Sequence, residues 1–192
     1  MDKAKVAAFF DKLAPNWDIN CKQNTERIRR ILDLAGIESN LTVLDVACGT
    51  GVLFPFYLER DVAMITGVDL SPGMIEKASE KFDDPRIKLI TGDVEQLTLS
   101  GFDRCVVYNA LPHFEDPARL IKVLSEALKP GGRLTIAHGE SRDEINERHR
   151  HGASEVSLSL MPAKELARLF APFLEVDVLL DEDIYIVSGV KK

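Results

Sequence analysis

Cysteine is scarce in this chain: Cys21, Cys48 and Cys105 are the only three among 192 residues, odd in number and far apart. Such usage indicates neither a disulfide framework nor a cysteine zinc site. Cys48 and Cys105 read instead as small side chains filling tight places. Basic residues are outnumbered, 24 Lys and Arg against 31 Asp and Glu, leaving a net charge of -7. General affinity for a nucleic-acid backbone needs the opposite balance, so no nucleic-acid partner is expected. Long apolar runs are missing as well, and nothing approaches the length that spans a bilayer, so no membrane partner is expected. The opening Met1-Asp2-Lys3-Ala4-Lys5 has no signal-peptide core, which makes the cytoplasm the expected location. Internal repeats and low-complexity segments are absent, and tryptophan occurs once, at Trp17.

What remains is the composition of a soluble globular protein, 45% hydrophobic and 29% charged. The length supports one sizeable core and falls short of two ordinary domains, so residues 1–192 are expected to form a single domain. Its organising stretch is Val43-Leu44-Asp45-Val46-Ala47-Cys48-Gly49-Thr50-Gly51. A short apolar run rich in β-branched residues reads as a buried strand. It breaks into a glycine-rich turn, after which Val52-Leu53-Phe54 opens a helix. Gly49 and Gly51 permit positive φ and close approach of a ligand, and the free amides of the helix start face that ligand.

The residues around the glycines narrow the choice of ligand. A dinucleotide fingerprint, G-x-G-x-x-G, uses its third glycine for close packing of helix on strand around a pyrophosphate. Here the third position is Phe54. Asp45, just before the turn, would repel a pyrophosphate and attract a cationic amino group. The run Asp45-x-Ala47-Cys48-Gly49-Thr50-Gly51 resembles the first motif of class I S-adenosylmethionine (SAM)-dependent methyltransferases, whose cofactor carries an ammonium and a sulfonium. The resemblance implies a Rossmann-like α/β fold. Its seven-stranded, mostly parallel sheet would have the order 3-2-1-4-5-7-6, strand 7 antiparallel and helices on both faces. It also implies transfer of a methyl group from SAM to an acceptor, with S-adenosylhomocysteine as product.

Other stretches carry the same resemblance. Phe10-Asp11-Lys12-Leu13-Ala14-x-x-Trp17-Asp18 is similar to the N-terminal segment of ubiquinone/menaquinone-biosynthesis-type methyltransferases. That makes residues 1–40 an expected helical lid with Trp17 at the cofactor, the alternative being that Trp17 only anchors its helix. Val62 to Leu70 reads as the second strand, and Asp69 lies 18 positions beyond Gly51, where a carboxylate can accept both hydroxyls of a ribose, with Leu70 beside it. Ser71-Pro72 reads as an N-cap with proline at the first helical position. After a third strand, Ile87 to Ile90, Gly92-Asp93-Val94-Glu95 resembles the family's acidic motif. There a carboxylate (Asp93) takes the adenine amino group and the next amide (Val94) meets a ring nitrogen. Phe102 to Asn109 is the fourth strand. The loop that follows resembles N-x-L-x-H, whose asparagine, here Asn109, holds the cofactor's amino end. Leu128-Lys129-Pro130-Gly131-Gly132-Arg133-Leu134 is a further family signature, leading to a fifth strand at Leu134 to Ala137.

Residues 139–160 are an expected acceptor-side insertion. Ser141-Arg142-Asp143-Glu144 matches a capping box for a helix to about Arg150, and 152–160 reads as a mobile cover. A last helix over 161–170 and two strands, Leu174 to Leu180 and Ile184 to Val190, close the chain. All four histidines, His113, His138, His149 and His151, fall between 113 and 151. The implied strand order puts His113 and His138 side by side at the acceptor end, where a neutral imidazole can remove a proton. Packing roles are the alternative, and His113, His138 and His149 are also candidate ligands of a transition metal, although their spacing matches no standard zinc motif. Three competing functions stay open: a nicotinamide-dependent oxidoreductase, a SAM-binding accessory protein without catalysis, and a metal-dependent methyltransferase. Without a basic surface or an appended recognition domain, the expected acceptor is a small molecule. Oligomeric state is left open.

Overall fold

The computed structural model describes residues 1–192. Helix α1 (Lys3–Leu13) is capped by the Asp2 carboxylate, which accepts from the Ala4 amide, and a 3-10 turn through Pro15 leads into the short α2 (Trp17–Asn20). Asn24 caps α3 (Thr25–Leu34), which stops where Gly36 takes φ +62°. Then come β1 (Thr42–Val46), α4 (Phe54–Glu59), β2 (Met64–Asp69), α5 (Pro72–Lys81), β3 (Ile87–Thr91) and β4 (Phe102–Tyr108). The chain continues through α6 (Pro117–Ala127), β5 (Leu128–His138), α7 (Arg142–Gly152), α8 (Ala163–Phe170), β6 (Leu174–Asp181) and β7 (Tyr185–Lys191).

One sheet carries all seven strands in the order β3-β2-β1-β4-β5-β7-β6, as the motifs imply. β7 runs antiparallel to both β5 and β6, and the other pairings are parallel. Strand alternation sends side chains to two apolar layers. Leu44 and Val46 join Leu120, Leu124, Leu166 and Phe170 beneath α6 and α8. Val43 joins Ile28, Ile31, Leu32, Phe54 and Tyr57 beneath α3 and α4. The sequence of strands reverses direction in space between β1 and β4, which opens a crevice at their carboxyl ends.

Two stretches depart most from the sequence reading. β5 starts at Leu128 rather than Leu134, because Leu128 pairs with Phe102 and the register then shifts before Arg104 pairs with Arg133. Gly131, at φ +73°, takes up that irregularity. Residues 152–160 are tied down rather than loose: the Leu158 amide donates to the Pro112 carbonyl at 2.7 Å, the Leu160 amide donates to Asn146 Oδ1 at 2.6 Å, and Val156 and Leu160 are buried. No helix is long and apolar enough to cross a membrane.

Candidate active site

The turn after β1 is built from left-handed backbone: Ala47 at φ +54°, Gly49 at +56° and Gly51 at +81°. Ala47 holds this conformation at a cost of about 1–2 kcal/mol, the kind of local strain that functional turns retain. The two glycines do different work. A Cβ on Gly49 would meet nothing nearer than Trp17 Nε1 at 4.0 Å, so this face of the turn is open. A Cβ on Gly51 would lie 2.6 Å from Phe54 Cδ2 and 2.8 Å from Phe82. Gly51 therefore serves packing. Phe54, standing where a dinucleotide fingerprint has its third glycine, fills the slot over Gly51 and Gly67 instead.

Asp69, at the end of β2, organises two backbones. One oxygen accepts the Gly49 amide at 2.8 Å and the other the Ser71 amide at 2.8 Å. Each oxygen keeps a lone pair for a further donor. Burial raises this carboxyl above its ordinary range against the pull of the Ser71 and Gly49 amides, and the nearby Asp11 charge adds to the rise. After β3, Asp93 Oδ1 accepts the Glu95 amide at 3.1 Å, while Oδ2 accepts Lys3 Nζ at 2.7 Å and Gln96 Nε2 at 2.9 Å. After β4, Asn109 sits at φ +55°, with Oδ1 accepting the Gly139 amide at 2.9 Å.

These turns border a cavity of about 820 Å³. Of the residues expected to hold the donor, Ala47, Gly49, Asp69, Leu70, Asp93, Val94, Asn109 and Trp17 line it. Asp45 and Gly51 do not. The period of β1 puts Asp45 on the same face as Val43, so its carboxyl points beneath the turn, with Oδ2 buried and unpaired. Burial, aided by the Asp69 charge, pushes the Asp45 carboxyl well above the carboxylate range.

The acceptor-side histidines also divide. His113 and His149 line the cavity with ring centroids 5.2 Å apart, and Phe10 stands edge-on to His113 at 4.9 Å. Val156 fixes the His113 tautomer. Its carbonyl, 2.8 Å from Nδ1, can only accept, so Nδ1 carries the proton and Nε2 the lone pair. Burial lowers the pKa of His113, and that hydrogen bond offsets the shift only in part. His149 falls to about 4 through burial, with the His113 and Arg148 charges adding to the effect. His138, expected to face the acceptor, is fully buried away from the cavity, edge-on to Tyr185 at 5.8 Å because β5 pairs the two residues across to β7. Neither of its ring nitrogens is hydrogen-bonded. The metal reading loses its geometry with it, since no group of three or more His, Cys, Asp or Glu side chains is disposed to hold an ion.

Several wall residues had no sequence signal. Arg27, on α3, lines the cavity near Asn109 and donates to the Gly139 carbonyl at 2.9 Å, with no carboxylate partner of its own. Gln23 Oε1 accepts from Tyr108 at 3.1 Å. Lys3 reaches the site from α1. Their partners lie tens of residues away, so no local pattern announces them.

Residues 43–132 match the Methyltransferase domain family. Over that stretch the chain is a methyltransferase domain. Among relatives of this methyltransferase chain, the malonyl-[acyl-carrier protein] O-methyltransferase of Acetivibrio thermocellus is 32% identical over 141 residues, 71% of this chain and 50% of the relative. The ubiquinone biosynthesis O-methyltransferase of Coxiella burnetii (strain Dugway 5J108-111) is 32% identical over 143 residues, 70% of this chain and 61% of the relative. The chain thus spans roughly half to three-fifths of these relatives' lengths. In fold it is similar to the N-methyltransferase NodS of Bradyrhizobium japonicum WM9, solved with S-adenosyl-L-homocysteine. That match has a TM-score of 0.74 at 19% identity and covers 96% and 97% of the two chains.

Proposed function

We propose that this chain transfers a methyl group from SAM to a small-molecule acceptor. The observation that carries the reading is the single cavity along which Gly49, Asp69, Asp93 and Asn109 follow one another at the ends of β1, β2, β3 and β4. Its wall fits the donor part by part. The open Gly49 face admits the chain between sugar and sulfur, and the spare lone pairs of Asp69 suit ribose hydroxyls. Asp93 and the Val94 amide suit the base. Arg27, a cation without a carboxylate partner, suits the carboxylate of the amino-acid end beside Asn109.

When bound, SAM supplies a methyl group already made electrophilic by its sulfonium. The chain's own task is to align and enclose the reactants, and to take a proton from the acceptor. His113 suits the last role: neutral at pH 7, with Nδ1–H spent on Val156 and Nε2 free to accept. Phe9, Phe10, Leu13 and Phe114 give the acceptor end an apolar lining and help exclude water. The chain's net charge of -7 favours a small molecule over a polyanion.

Asp69→Ala is expected to weaken S-adenosylhomocysteine binding by about 100-fold or more, since hydrogen bonds to a charged acceptor are worth roughly 1.5–3 kcal/mol each. Calorimetry reads this, with thermal unfolding to confirm that the variant is folded. Unchanged affinity would remove Asp69 from the ribose, and a chain stabilised by NADH but not by S-adenosylhomocysteine would point to an oxidoreductase.

A further inference from the structure

Helix α1 crosses the carboxyl ends of the strands and reaches the turn after β3 with one charge. Lys3 Nζ sits 2.7 Å from Asp93 Oδ2 and also bonds Glu95 Oε2. The Glu95 side chain is only 7% exposed, and its second oxygen has no hydrogen bond, Arg119 Nε standing 3.6 Å away. Two carboxylates two residues apart therefore share one ammonium as their main charge partner, brought from 90 positions away. The same α1 is anchored over the turn after β2, where Asp11 Oδ1 accepts the Ser71 hydroxyl at 2.5 Å and the Gly73 amide at 2.9 Å. Lys3 thus touches the carboxylate that the proposed function assigns to the base, while the helix bearing it roofs the rest of the cavity.

We propose that Lys3 is a positioning residue for recognition of the donor's adenine: it holds the plane of the Asp93 carboxylate and ties that recognition to closure of α1. The inference rests on the SAM reading above. With Lys3 on Oδ2 and the Glu95 amide on Oδ1, the Asp93 carboxylate cannot rotate, and a free lone pair on Oδ1 remains for an amino hydrogen. Without Lys3, only the neutral Gln96 amide on Oδ2 and the Glu95 amide on Oδ1 hold Asp93 against the like charge of Glu95, and the carboxylate loses its fixed plane toward the base. α1 lines the cavity beside the donor's place, so lifting α1 breaks this clamp.

The sole tryptophan, Trp17, lines the cavity and reports binding by its fluorescence. Stopped-flow release of S-adenosylhomocysteine and of S-inosylhomocysteine, which carries a carbonyl in place of the amino group, is compared for the wild-type chain, Lys3→Met and Lys3→Arg. Lys3→Met is expected to release S-adenosylhomocysteine at least tenfold faster and to lose at least fivefold of the preference for it over the inosine analogue. Lys3→Arg is expected to recover most of both. Unchanged release and preference in Lys3→Met overturn the proposal. So does equal weakening of both analogues, which is what a merely structural latch gives. A wild-type chain that binds neither analogue removes the SAM reading itself, and this inference with it.

Discussion

His138 has both ring nitrogens buried and unpaired, and burial, followed by the His149, His113 and Arg148 charges, pulls its pKa down to about 3. The unfolded chain takes a proton on this residue near its ordinary 6.5, whereas the folded chain refuses one until about pH 3. Its contribution to stability is therefore complete above pH 6.5 and is lost as pH falls from 6.5 toward 3, at about 1.4 kcal/mol per pH unit. His138→Phe keeps a ring beside Tyr185 and removes that dependence. Urea unfolding between pH 7 and pH 4 is expected to give a flatter stability profile for the variant, and parallel profiles would contradict the assignment. The position of single residues in the cavity wall was legible where they close or follow β2, β3 or β4. Asp69 closes β2 and Asp93 lies two residues beyond β3, and both line the cavity. Asp45 lies inside β1, and His138, though it closes β5, is still paired with Tyr185 of β7; alternation and cross-strand partners decide their direction, and both are buried. Lys3 and Arg27 were illegible because solvated helices are full of such residues and only tertiary contact distinguishes them.

Among the elements, α7 leans most on its ends. Ile145 is its only buried residue, and its start is closed by a capping box: Ser141 Oγ accepts the Glu144 amide, and the Glu144 carboxylate accepts the Ser141 amide at 2.9 Å. Such a cap is worth about 1 kcal/mol. Ser141→Ala is expected to speed amide hydrogen exchange across 142–160 about fivefold, leaving S-adenosylhomocysteine affinity within twofold of wild type. Exchange unchanged across this stretch would mean that packing rather than the cap holds α7. Helix caps are short-range chemistry, and this one could be read directly from Ser141 and Glu144. The tethers of 152–160 could not, since the Pro112 carbonyl and Asn146 that bind it come from other turns of the chain. Those tethers also deliver the Val156 carbonyl to His113, so the acceptor-side segment sets the tautomer of the candidate base.

At the scale of the molecule, the sheet order puts the ends of β1, β2, β3 and β4 along one crevice, with α1 and α2 above it and α7 at the far side. The order was legible because the motifs at the ends of β1, β2, β3 and β4 carry the family resemblance that implies it. The distribution of roles within the crevice was not, because it depends on which helices return over it. The donor-binding account makes one demand on this arrangement: the ligand must run from Asp93 past Asp69 and Gly49 to Asn109, ending with its sulfur toward His113 and His149. A crystal structure of the chain with S-adenosylhomocysteine measures this directly. The account predicts the ribose hydroxyls on Asp69, the base beside Asp93 and Val94, and the sulfur open to the two histidines. Ligand density elsewhere, or a crevice left empty at saturating ligand, would contradict it.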